Sequence, residues 1–404
     1  MSAQQSRAEV RSARLPATQR RIQLANVAAR NFHELGYHRV SLAALATEVG
    51  LTAPAVYRHF RNKQALLAAA IASGLDLVED ALLRTVGGSL EDLVGAVTDA
   101  GLTRPDLWVL LQRESRFLEP DLRVEISSQF ARIIESFVRR LRKERTDLSD
   151  ADAHFLVAAA TAVMSSPAEL SSSPGRAEYR RELVSSALAC LRFDLAAHPE
   201  GVDAVAVAAG AADSRREEIV AAATDLFFTR GYDAVSLDDI GGVLGMAGPS
   251  LLHYFQGKQQ ILQAPFDRAT EEMHRWHREF VQADPPLTLR GQVSAYVAFA
   301  LAHRTLVGVY VSDVIHLPDD ALDSTRVALR ELMSDWVTTL SAAEDSLTTP
   351  AARARVAAAL VVINDLVRLG HYHERPGVAS EITGLALAVL EHDATGPRRA
   401  SGVR

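Results

Sequence analysis

Apolar residues recur at helical spacing along most of the chain. In the stretch RRIQLANVAARNFHEL (20–35), Leu24, Val27, Ala28 and Phe32 fall on one face and polar residues on the other. The pattern predicts a helix over 18–35, closed by Gly36. Ser41 is a good N-cap for a short second helix ending near Glu48, and Gly50 marks a turn. Thr52 then opens a third helix whose first turn tolerates Pro54, and a fourth begins near Lys63. Further amphipathic helices are predicted near 66–85, 90–100, 104–117, 121–145, 149–164 and 177–196. In the second half of the chain they fall near 264–282, 288–309, 319–345, 350–372 and 378–392. No segment alternates convincingly as a strand would, so the expected class is all-α.

The opening pattern returns at a fixed offset of 195 residues without a gap. Arg20–Leu67 and Arg215–Leu262 share Arg20, Arg21, Ala28, Phe32, Gly36, Tyr37, Val40, Ser41, Leu42, Gly50, Pro54, Phe60, Lys63, Gln64 and Leu67. These positions are turns, caps and apolar faces. Two short helices joined at Gly50 form a helix-turn-helix pattern, and here one chain carries it twice. The reading divides the chain into a basic arm (1–17), a first helix-turn-helix unit (18–66) and a first helical bundle (67–198). A linker (199–213), a second unit (214–262), a second bundle (263–393) and a tail (394–404) follow.

Charge separates the two copies. The whole chain carries a net charge of −7, but residues 20–67 hold seven cations against two anions, and 215–262 hold four against six. A local positive field suits a polyanion better than the global balance suggests. The arm adds Arg7, Arg11 and Arg14, placed to enter a minor groove or simply to stay solvated. One cysteine, Cys190, rules out an intramolecular disulfide and fits a reducing compartment. The first residues lack the apolar core of a secretory leader, and no run of about 18 apolar residues follows. A soluble cytoplasmic protein with no membrane partner is therefore expected.

The motif RRIxLA…F…GY…VSLxxLA…VGLTxPAVYRHFRNKxxLL, and its second version REEIVxAA…LF…GY…VSLDDI…LGM…LLHYFxGKQxIL, closely resemble the tetracycline-repressor (TetR) family of bacterial regulators. The resemblance covers about fifty residues in each copy. It implies two TetR-like halves, each a three-helix DNA-binding unit followed by a helical bundle for effector binding and dimerisation. It also implies double-stranded DNA as partner. By that resemblance Thr52, Ala53, Pro54 and Ala55 face the groove, and Tyr57, His59 and Lys63 hold phosphates. Ser41 offers a helix N-terminus to phosphate, and Arg58 is the residue of that helix able to pair bidentately with guanine. In the second copy Leu252 replaces the tyrosine, Gly248 and Gly257 loosen the helix ends, and Asp238 and Asp239 open the second helix. Ser250, His253, Tyr254 and Lys258 remain as candidate DNA contacts, and weaker binding is expected there.

The resemblance further implies a small effector whose binding changes the separation of the readers, and so a ligand-released repressor. Candidate pocket residues are Trp108, Gln112, Arg113, Phe117, His154 and Phe155 in the first half. In the second they are Phe299, His303, Tyr310, Asn364, Arg368, His371 and Tyr372. Taken singly, each residue type belongs more often to an ordinary core or surface than to a pocket. The segment LWVLLQRESRFLEPDLR (107–123) faintly resembles members that sense acyl-CoA, so an apolar, acyl-CoA-like effector is one expectation. Residues 121–196 and 319–392 are expected to pack together as an internal pseudo-dimer on an asymmetric operator, with further homodimerisation open. The alternative is a small-molecule- or partner-binding protein with a decayed second reader. No enzyme, metal or cofactor is expected. His371 and His373 are two apart and point to different sides of a helix, Cys190 lacks an argued base, and no glycine pair sits in a phosphate-loop pattern.

Overall fold

The computed structural model describes residues 16–166, 175–197 and 214–392. The arm cations Arg7, Arg11 and Arg14, the 199–213 linker and the 394–404 tail lie outside them. Every regular element among the described residues is helical.

The first half starts with α1 (Ala17–Leu35), α2 (Leu42–Glu48) and α3 (Ala53–Tyr57). Leu24, Val27, Ala28 and Phe32 of α1 are buried as the periodicity predicts. Gly36 ends the helix at φ 78°, where a side chain would be strained, and donates its N–H to the Phe32 carbonyl. The Ser41 hydroxyl accepts the Ala44 N–H at the start of α2. Then come α4 (Lys63–Arg84), capped by Asn62, α5 (Leu90–Thr103) and α6 (Asp106–Val109). The last runs through a π-turn at Leu110–Glu114 and a 3₁₀ turn at Ser115–Phe117. The half ends with α7 (Pro120–Glu144), α8 (Asp150–Met164) and α9 (Arg176–Arg192).

The second half repeats this order. It has α10 (Arg215–Arg230) and α11 (Leu237–Val243), followed by a 3₁₀ segment Gly248–His253 where the first half has α3. Next are α12 (Lys258–Gln282), α13 (Leu289–Ala302), α14 (Arg304–Asp313), α15 (Asp319–Ala343), α16 (Thr349–Arg368) and α17 (Val378–Glu391). The single helix expected over 288–309 is in fact α13 and α14, bent by 87° at His303. Neither proline nor glycine marks that break. No single helix among the described residues is long and apolar enough to cross a membrane, although this bent pair is so by composition. Both of its helices contribute buried residues to the protein core.

The halves meet where α8 and α9 pack against α16 and α17. Leu156, Val163, Leu183 and Leu191 of the first half join Val356, Ile363, Ile382 and Leu385 of the second in one hydrophobic core. Arg355, itself buried, crosses this seam to the Glu182 carboxylate at 2.8 Å and also reaches Glu344 at 3.1 Å. The second helix-turn-helix unit closes around a core of its own, including Ile219, Phe227, Leu251, Phe255 and Ile261.

Candidate nucleic-acid interface and effector pocket

In the first reader, Val56 and Phe60 anchor α3 inward while Thr52, Pro54, Tyr57 and Arg58 face solvent. Tyr57 is 55% exposed. The Thr52 hydroxyl sits at the cap position without accepting a backbone bond, which leaves it turned to the surface. Ala53, Ala55 and His59 are half-buried beside it. Small side chains along this edge let a helix approach base edges closely, and Arg58 is the group there able to form a planar pair.

Several cations that made this window basic are engaged within the protein. Arg30 pairs with Glu48 at 3.0 Å, and Arg61 pairs with Glu119. Arg21 lies over the Phe60 ring and donates to the His59 carbonyl at 2.6 Å. Arg216 repeats that arrangement over Phe255 and on the Tyr254 carbonyl. This explains why both copies carry that arginine: it fastens the end of the recognition segment to the first helix.

The two lysines are likewise placed as anchors. Lys63 lies 4.3 Å above the Tyr37 ring and 3.4 Å from the His38 carbonyl. Lys258 lies 4.2 Å above Tyr232 and donates to the Tyr232 and Val235 carbonyls, both at 2.8 Å. Burial lowers the pKa of each ammonium. The Gly-Tyr pair before the second helix and the lysine after the third thus form one clamp in each copy. The signal for it was present in the sequence as shared Gly36, Tyr37 and Lys63.

The second reader differs on its outer face. The 3₁₀ segment replaces an α-turn where Gly248 packs so closely on Asp238 that a Cβ would lie 2.9 Å from the Asp238 backbone nitrogen. Asp239 is used in a capping box with Ser236, whose hydrogen bonds hold its carboxyl below the usual range. Leu252, His253 and Tyr254 are exposed and Ser250 is half-buried. The result is a surface with fewer cations and a less regular recognition segment than the first.

Each reader is joined to the bundle through a carboxylate. Glu114 accepts the Tyr37 N–H at 3.0 Å, and Asp313 accepts the Tyr232 N–H at 3.3 Å. Arg113, an effector candidate, is buried against Glu114, donates to the Phe32 and His33 carbonyls, and borders a small cavity together with Tyr37, Phe117 and His316. Phe117 stacks on Tyr37, and His316 on Tyr232.

The effector candidates separate by place. Phe299, Tyr310 and Asn364 line one cavity in the second half, between α12, α13, α14, α15 and α16. Its cavity volume is about 40 Å³. His303 lies beside Phe299 with the rings tilted by 50° and centroids 4.7 Å apart, and burial lowers its pKa. Gln112 reaches across the halves to Asp365 at 3.2 Å, and Arg368 pairs with the same carboxylate within α16 at 2.7 Å. Tyr372 also lies between halves, with its hydroxyl on the His154 carbonyl and its ring on Phe155. The His154 ring itself faces outward, bound to Glu135 and the Asp150 carbonyl, because its helix places it on the solvent side. His371 is exposed beside Glu374. Trp108 is buried against Phe130.

Two α-helical readers of this geometry, each preceding a bundle, define a helix-turn-helix protein. The family model of the bacterial regulatory proteins of the tetR family matches twice, at residues 24–70 and 219–264, so the chain carries two DNA-binding units of the tetR-family type. Among curated proteins it is similar to the HTH-type transcriptional repressor KstR2 of Rhodococcus jostii. Identity there is 29% over 105 residues, 26% of this chain and 52% of that one. It is also 29% identical over 89 residues to the HTH-type transcriptional activator FasR of Mycolicibacterium smegmatis, covering 22% of this chain and 41% of the relative. The chain thus spans about half the length of the curated relatives it matches. Similar solved structures include a TetR-family regulator from Bordetella parapertussis (17% identity, 45% of this chain and 96% of that one, TM-score 0.38). Another is the ketosteroid transcriptional regulator KstR2 of Mycobacterium tuberculosis (20%, 45% and 95%, TM-score 0.36).

Proposed function

We propose that this chain is a DNA-binding transcriptional regulator acting as a single-chain pair of readers on an operator with two unlike half-sites. The supporting observation is the seam of α8 and α9 on α16 and α17, which joins two helix-turn-helix units within one polypeptide. Dimeric readers place two recognition helices about one helical turn of DNA apart; here the second copy takes the place of the second subunit. Because the two recognition surfaces differ in sequence and charge, they have no reason to prefer the same bases. Proposed contacts are Thr52, Ala53, Pro54, Ala55, Tyr57, Arg58 and His59 in the first reader, and Ser250, His253 and Tyr254 in the second. The amides at the start of α2, next to Ser41, would hold a phosphate.

Ligand-controlled release fits the same architecture. A ligand in the second-half cavity would touch α14, and α14 ends at Asp313, which holds the second reader by the Tyr232 amide. Release requires only that the ligand prefer the arrangement in which the readers are misaligned. The irregular second segment supports one other reading, in which the second unit no longer reads DNA. The test is binding of the full chain to DNA from upstream of its own gene across a salt series, with Tyr57→Ala and Tyr254→Ala beside it. Loss in both variants supports two readers. Loss in Tyr57→Ala alone supports the decayed reader, and no binding by the wild type at low salt overturns both.

A further inference from the structure

We propose that the chain holds one effector site, in its second half, for an uncharged and largely apolar ligand, and that Trp108 fills the equivalent space in the first half. This rests on the effector-responsive reading above.

The equivalence of the halves beyond the readers can be read from shared hinges. Ser89 and Thr288 cap α5 and α13, and Ser149 and Thr348 cap α8 and α16. Glu114 and Asp313 each accept a reader amide. All three pairs are separated by the same number of residues, and that spacing sets Trp108 against Val307. It also sets Leu111 against Tyr310, Ile126 against Thr325, and Phe130 against Leu329.

Val307, Tyr310, Thr325 and Leu329 all line the second-half cavity. Their first-half counterparts are larger or apolar. The Trp108 indole is 7% exposed and meets the Phe130 ring edge-on, with centroids 6.1 Å apart. Helices α4 and α6 also close on each other there: a Cβ on Gly74 would lie 2.7 Å from Leu107 Cδ1. Counted along α4 and α12 from Lys63 and Lys258, the residue in the place of Gly74 is Ala269, which borders the cavity in the second half. In the first half an aromatic ring and a close glycine contact occupy the corresponding positions. The other half keeps smaller side chains and an opening.

The lining specifies the ligand's chemistry. No acidic, basic or histidine side chain borders the cavity, and its polar groups are hydroxyls and one amide. The Tyr310 hydroxyl has no hydrogen-bond partner among the described residues, and burial raises its pKa, so it stays neutral. Tyr296 donates to the Asn364 amide oxygen at 3.0 Å, which leaves the amide N–H groups of Asn364 to face a ligand oxygen. A charged group placed there would lose its hydration without a counter-ion. An apolar body with one carbonyl or hydroxyl satisfies the site. The phosphate-bearing part of an acyl-CoA does not.

The test uses the full chain and 2-naphthol, a neutral fluorescent probe, in equilibrium dialysis and fluorescence titration. The expected result is one equivalent per chain. Val307→Trp should abolish binding, Trp108→Val should raise it to two equivalents, and 2-naphthoate should bind at least tenfold more weakly. Should Val307→Trp lose its helical circular-dichroism spectrum, Leu329→Phe, which copies Phe130, replaces it. Two equivalents in the wild type, none at all, undiminished binding by a folded plugged variant, or equal binding of naphthoate would each overturn the proposal. So would a Trp108→Val chain that stays at one equivalent. DNA binding is measured separately, so failure of the regulator reading would leave the stoichiometry result legible.

Discussion

Arg116 of the first half grips Asp313 of the second with two guanidinium nitrogens, 2.9 and 2.6 Å from the two carboxylate oxygens. Asp313 is fully buried, and it also holds the Tyr232 amide of the second reader. One carboxylate therefore links both halves to a DNA-binding unit, at a place where Gly231 leaves room for the Arg116 guanidinium. The first half uses Arg113 and Glu114 from its own chain segment for the same task, so the link between halves is one-sided.

Arg116→Ala should cost roughly 3–5 kcal/mol of stability, because it strands a buried charge rather than merely removing an attraction. Adding Asp313→Asn should recover part of that loss, since the unpaired charge is then gone. Urea unfolding of both variants checks this. A loss below about 1 kcal/mol for the single variant would mean that the carboxylate is satisfied by water instead.

The clamp lysines should act on stability before they act on DNA. Lys258 makes two short carbonyl bonds where Lys63 makes one long contact. Lys258→Ala is therefore expected to cost about 1–2 kcal/mol more than Lys63→Ala, at about 1 kcal/mol per neutral-partner bond. Chemical denaturation of the two variants reads the difference, and the reverse order would contradict the anchoring role.

In the first reader, Arg58 and Tyr57 should separate sequence reading from general affinity. Arg58→Ala should relax preference at one base position by about 1–3 kcal/mol. Tyr57→Phe should weaken all sequences alike. Competition binding against operator variants distinguishes these outcomes. Uniform weakening by Arg58→Ala would place that side chain on a phosphate.

Much of this was legible in the sequence. The helices of the first half, the Ser41 cap and the reader repeat follow directly from apolar periodicity and turn residues, which act locally. The break at His303 was not legible, because it comes from packing α13 and α14 around the cavity rather than from a breaker residue. Arg113 and His154 were expected at a pocket by residue type, and Arg113 does border the small cavity beside Tyr37 while His154 is bound to Glu135. Their actual places depend on which face of the helix meets which neighbour, and the sequence pattern does not specify that. The contrast between Trp108 and Val307 was hidden for another reason. It appears only when the halves are aligned beyond the readers, by caps such as Ser149 and Thr348.

His316 should make the junction sensitive to acid. Burial lowers its pKa, against the opposing pull of Asp233 and Asp313 and with help from Arg116 and Arg39. The unfolded chain then binds more protons than the folded one below about pH 6.5, so stability is full above that value and falls as pH drops through it. His316→Phe, which copies Phe117, should flatten the fall in melting temperature between pH 7.5 and 5.5. An unchanged slope would remove His316 from the account. His303 contributes in the same direction and His154 in the opposite one, so the comparison is with the wild type at each pH.

Cys190 reports on the seam. It is fully buried in α9, where burial pushes its thiol up and out of the reactive range. Labelling by a thiol reagent at neutral pH should be slow in the native protein and fast in urea. Arg355→Ala, which breaks the contact to Glu182 across the seam, should accelerate native-state labelling. Equal rates in the two proteins would show that the seam does not depend on that arginine.

The claim that one chain supplies both readers is tested most directly by weighing the complex on DNA. Mass photometry of the full chain on its footprinted operator should give one chain of 43.8 kDa per duplex, and footprints should cover two half-sites of different sequence. A complex of two chains on a palindrome, with the second readers unprotected, would contradict it.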